Sequence, residues 1–135
     1  MTKFFAAIIL SSLFLSCTDT KKQEKELLDQ VIAVHDKVMA KESQMMENKM
    51  QLDTMLKKAS VPEEKQSIAV TSASLEQTDN AMEDWMHKFD AENKGKSHEA
   101  VMAYLSDQKK QIDSIAKQFD AAIAASDNFI KVHKR

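Results

Sequence analysis

Apolar side chains recur along this chain at alternating steps of three and four, in three long stretches separated by short polar gaps. The cleanest stretch occupies the last third, where Val101, Leu105, Gln108, Ile112, Ile115, Phe119, Ala122, Ser126 and Phe129 alternate four and three without a slip. That is the spacing of a coiled-coil seam. The middle third offers Ile68, Leu75, Met82, Trp85, Met86 and Phe89, with Thr71 and Thr78 as polar interruptions. The first offers Leu28, Val31, Ile32, Val38, Met39, Met46 and Met50 on one side. The periodicity predicts helices over residues 24–59, 61–92 and 98–131. Each would be roughly 45–55 Å long at 1.5 Å per residue.

The chain's single proline and single glycine fall in the two gaps between these stretches. Ser60-Val61-Pro62-Glu63 reads as a capping box, with serine as N-cap, glutamate at N3 and proline in the first turn, where its missing N–H costs nothing. Gly95 suits a C′ position after Phe89-Asp90-Ala91, and Ser97 with Glu99 opens the third helix. Short connections force neighbouring helices antiparallel. The expected fold is therefore all-α, an up-down-up antiparallel three-helix bundle with coiled-coil-like packing over residues 24–135. Composition agrees: 6% aromatics, one glycine and one proline cannot furnish the turns and strands of a sheet protein. One glycine also excludes a dinucleotide fingerprint or a P-loop. The 43% apolar content is too high for a disordered chain.

The amino terminus follows a different pattern. Lys3 precedes an apolar run over residues 4–15, interrupted only by Ser11 and Ser12. Twelve residues as a helix cover about 18 Å, short of a hydrocarbon core of about 30 Å, so the run reads as a secretory signal rather than a span. Phe14-Leu15-Ser16 before Cys17 resembles the lipobox of bacterial lipoproteins. That resemblance implies cleavage before Cys17, diacylation of its sulfur and acylation of the new amino group. The expected organisation is a lipoprotein signal peptide at residues 1–16, a lipidated cysteine and tether at 17–23, and the bundle. Cys17 is the only cysteine, so a lipid on its sulfur leaves no thiol for disulfide or redox chemistry. Without Lys3 the chain keeps 18 basic and 21 acidic residues, a net charge of −3, and its only arginine is Arg135. A mildly acidic surface with one arginine argues against nucleic acid.

In an antiparallel hairpin facing residue numbers sum to a constant, here about 121 across the first two helices and about 188 across the second and third. His35 then lies level with Met86 and Met102, one turn from Met39, Met82 and Trp85. One histidine among methionines is either a soft site for Cu(I) or an axial pair for haem, or else a hydrogen-bonded core histidine packed with adaptable filler. No second histidine shares the layer and no CxxCH or HExxH motif occurs, which favours the filler reading, so no cofactor or metal ligand is assigned. Glu42 lies level with Asp79, and Asp79 with Gln108 and Lys109. This layer reads as a register device with Lys109 neutralising one acid; the metal alternative lacks the Glu-x-x-His pairs of di-iron bundles.

Three segments, Val31-Ile-Ala-Val-His-Asp-Lys-Val-Met39, Asp84-Trp-Met-His-Lys-Phe89 and Met102-Ala-Tyr-Leu-Ser-Asp-Gln-Lys-Lys-Gln-Ile112, make the whole chain resemble small Bacteroidetes lipoproteins labelled "viral A-type inclusion protein". The label reflects generic coiled-coil similarity and implies nothing about viruses. The resemblance implies an envelope address and a helical fold, with no catalytic residues to carry over. No nucleophile–base pair is visible, and short loops form no pocket. The expectation is a non-enzymatic, lipid-anchored envelope module that acts through partner proteins or self-association, without a small-molecule substrate. Some relatives reach the cell surface through acids following the cysteine, but Thr18-Asp19-Thr20-Lys21-Lys22 carries one, which points to the periplasmic face of the outer membrane.

Overall fold

A computed structural model describes the backbone of residues 14–133 and the side chains of residues 19–133. The leader expected at residues 1–16 lies almost wholly outside these described residues. Four helices follow in order: α1 (Phe14–Met39), α2 (Glu42–Lys58), α3 (Pro62–Lys88) and α4 (His98–His133). There is no strand among the described residues. α1 and α2 form one column, α3 returns antiparallel, and α4 runs parallel to the first column while packing against all three other helices. The architecture is a three-helix bundle. With 36 residues, α4 spans about 54 Å at 1.5 Å per residue and is the longest single helix among the described residues.

The first column differs from the single helix expected. It tightens at Ala40 and Lys41, where the Lys41 N–H bonds the Val38 carbonyl at 2.8 Å, a three-residue step. Both residues are sound helix formers, and neither proline nor glycine marks the spot. The step coincides with an ion pair from Lys41 Nζ to Asp120 on α4. The heptad Val31, Val38, Met45, Leu52 nevertheless runs through it, each residue at most 1% exposed. At the other end, the helix extends back through residues 18–23, which were expected as a tether. Side-chain contacts at helical spacing support that extension: Lys21 pairs with Glu24 at 2.9 Å, and Gln23 Nε2 donates to Asp19 Oδ2 at 3.2 Å.

The seam of α4 is buried at eight of its nine expected positions; Phe129 is only partly buried, and Ile123 and Ile130 enter the core instead. An α-helix drifts about 20° per heptad against a strict 3.5 repeat, which moves the buried stripe one residue along after several turns. On α2 the expected core residues Met46 and Met50 are exposed, and Met45, Asn48 and Leu52 hold the interior. On α3, Ile68, Leu75, Met82 and Trp85 are buried, whereas Met86 is 41% exposed.

The connections also differ in detail from expectation. Val61, not Ser60, is the N-cap of α3, and no side chain caps it; Pro62 opens the helix as expected. α3 stops at Lys88, and residues 89–97 form a folded link. Asp90 Oδ1 accepts the backbone N–H groups of Glu92 at 3.1 Å and Asn93 at 3.2 Å, and Lys96 Nζ reaches Asp90 Oδ2 at 3.1 Å. Gly95, at φ +75°, supplies the left-handed turn of this link rather than a helix cap. Ser97 Oγ accepts the Ala100 N–H at 3.3 Å and opens α4 as read from the sequence.

Three carboxylates at this end of the bundle lie below their ordinary range. Lys21, followed by His98, holds down Glu24; Lys96, followed by the Asn93 N–H, holds down Asp90; backbone N–H bonding and Ser97 hold down Glu99. A lowered native pKa contributes stability above the ordinary carboxylate range and loses it as pH falls through the lowered value. Acidification should therefore loosen this end first. Hydrogen exchange measured stepwise toward acid should show the Glu92 and Asn93 amides losing protection before those of α2. Asp90→Asn should produce the same loss at neutral pH.

Candidate functional site

Cys17 lies on the first turns of α1, and its side chain falls outside the described residues. The helix runs on from there to Met39, so a group attached at residue 17 would sit at the foot of the bundle.

The paired-acid layer expected in the core does not form there. Glu42 is exposed on the first turn of α2, Asp79 is half-buried, and only Gln108 is buried. Lys109 pairs with Asp113 at 2.6 Å, one turn along its own helix, rather than with Asp79. Glu42 falls one position after the tightened step, three residues before Met45 of the seam. A different polar layer sits further up. Asn48 Nδ2 donates to Ser126 Oγ at 2.8 Å and to Asp127 Oδ1 at 2.7 Å, while Gln44 Nε2 donates to Asp127 Oδ2 at 2.8 Å. Ser126 Oγ in turn donates to the Ile123 carbonyl at 2.9 Å. This network ties the two parallel columns in register. Ser126 was visible as a hydroxyl inside an apolar seam, but Asn48 was masked by Met46 and Met50, which compete for the same face on hydrophobicity alone.

The register deduced between His35 and Met86 holds, but the one with Met102 does not: Glu24 meets His98 and Lys41 meets Asp120, which sets His35 about nine residues further along α4 than Met102. His35 Nε2 lies 3.3 Å from Met86 Sδ, and its ring is 5.9 Å from that of Trp85. Nδ1 meets Asp36 Oδ1 at 3.1 Å. Trp85 stacks on Phe89 at 4.7 Å and keeps a buried Nε1 with no hydrogen-bond partner. The imidazole is not a sealed core histidine, because its side chain is 24% exposed. Met39 packs on the edge of the core, and Met102 is half-buried. Among the described residues, no three His, Cys, Asp or Glu side chains gather in a way that could hold a metal.

At the opposite end from Cys17, an open groove of about 930 Å³ lies between the end of α2, the start of α3 and the end of α4. Met50, Met55, Val61, Phe129, Ile130 and Val132 give it an apolar floor and wall. His133 stacks on Phe129 at 4.1 Å along one side.

Comparison with protein-family models, curated proteins and solved structures finds no match to this chain.

Proposed function

We propose that this protein is a non-enzymatic lipoprotein of the bacterial envelope, held on a membrane by acyl chains on Cys17 and acting through contacts made by its helical bundle. The observation that carries this reading is the placement of the only cysteine, directly after an apolar leader and at the start of a helix continuous with the bundle. Acyl chains contribute about 0.8 kcal/mol per buried CH₂, so several on one residue anchor a domain without a spanning helix. No described helix is long and apolar enough to cross a membrane. With the foot of the bundle at the bilayer, α4 would carry its far end on the order of 50 Å away from the surface. Long helices with short links offer surface for proteins of the envelope or for a second copy.

Fractionation of cells fed a labelled fatty acid tests the anchor. Wild-type protein should carry the label and follow the membranes. Cys17→Ala should lose all label and accumulate as uncleaved precursor. Equal labelling of the two would remove the lipid anchor and, with it, the envelope reading.

A further inference from the structure

Both ring nitrogens of His35 meet a partner, Asp36 on one side and Met86 on the other. Asp36 Oδ1 stands 3.1 Å from Nδ1, in position to accept its proton. With the proton on Nδ1 of the neutral ring, Nε2 presents a lone pair 3.3 Å from the thioether sulfur of Met86; with it on Nε2, the ring donates to that sulfur. Two lone-pair donors in contact repel unless a proton or a cation lies between them. A thioether is a weak hydrogen-bond acceptor and a good ligand for soft metals. A carboxylate on the far nitrogen of an imidazole is also the usual outer partner of a metal-binding histidine, because it sets the tautomer and raises ligand basicity.

We propose that His35 Nε2 and Met86 Sδ form a binding site for one soft monovalent cation, Cu(I) above all, beside the ring of Trp85. The donor set selects the ion: one imidazole and a thioether suit Cu(I) and offer little to Zn²⁺ or Mg²⁺. Further thioethers stand one helical turn away on the same two helices, Met39 four residues after His35 and Met82 four before Met86. The site is reachable, with the His35 side chain 24% and Met86 41% exposed. The Trp85 ring stands beside the imidazole, 5.9 Å from it between ring centres. Haem fits the geometry less well, since axial ligands must flank the macrocycle and these two donors touch. The site stands independently of the lipid anchor.

Trp85 is the chain's only tryptophan, so its fluorescence reports on this site. The full chain carrying Cys17→Ala, which removes the sole thiol, is titrated in detergent with Ag(I), a redox-inert stand-in for Cu(I), in chloride-free buffer. Trp85 emission should change saturably and reach its end at one equivalent, while the same concentration of Zn²⁺ leaves it unchanged. Met86→Leu preserves size and apolar character at a half-exposed position and should weaken Ag(I) at least tenfold with unchanged helicity. His35→Gln should do the same. Met46→Leu, an exposed methionine on α2, should leave the titration unaltered. The proposal is overturned by an unsaturable or absent Trp85 response in the parent. Undiminished affinity in Met86→Leu or His35→Gln overturns it equally.

Discussion

Phe119→Ala is expected to cost about 3–5 kcal/mol of folding stability, the range for truncating a core aromatic. Phe119 is 1% exposed, sits midway along the α4 seam, and belongs to the same buried cluster as Met45, Leu75 and Ile112. Its level on α4 is one residue before Asp120, which pairs with Lys41 at the tightened step of the first column. No small rearrangement fills the space, because the neighbouring backbones are fixed on three sides by regular helices. Denaturant melts of parent and variant, compared at equal slope, measure the loss. A loss under about 1 kcal/mol would mean that the seam is not closed within one chain and that the cluster is completed by another copy.

Asn48→Ala should cost about 1–3 kcal/mol, the penalty for leaving buried polar partners unmet. Asn48 is 4% exposed and Ser126 is fully buried, so water cannot readily replace the lost amide. The informative comparison is the double variant Asn48→Leu with Ser126→Ala. Replacing both partners by apolar groups removes the unmet polar atoms along with the bond, so the double variant should recover most of the stability lost in Asn48→Ala. The recovery should come at the expense of register, seen as broadened amide resonances in α2 and the end of α4. If the penalties of Asn48→Leu and Ser126→Ala simply add, the two side chains are not coupled and the network does not tie the columns.

The seam of α4 was legible because each of its residues is either apolar or, at Gln108 and Ser126, small or flexible enough to keep the spacing unbroken. The His35–Met86 contact was legible for a different reason: a short link between antiparallel helices fixes which levels can meet, whatever the side chains are. The first column was harder. Met45 and Met46 are equal in hydrophobicity and one residue apart, so only the path of the backbone through Ala40 and Lys41 decides which faces inward. That step also moves Glu42 to solvent, and with it the acid layer inferred from a straight helix. The Asp90–Asn93–Lys96 link was invisible in advance, since a side-chain knot of this kind follows no hydrophobic period. Of the candidate sites, the position of Cys17 and the placing of Met86 and Trp85 beside His35 came from the sequence, whereas Met102 lies at another level. The Asp36 contact that orients the imidazole and the far-end groove needed the fold.

The most direct test of the membrane-anchored account is the intact mass of the N-terminal peptide of the protein extracted from its native membrane. The account predicts a chain that begins at Cys17, with the leader gone and the mass raised by a diacylglyceryl group on sulfur and an acyl group on nitrogen. A peptide beginning at Met1, or one beginning near Cys17 with an unmodified thiol, would contradict it.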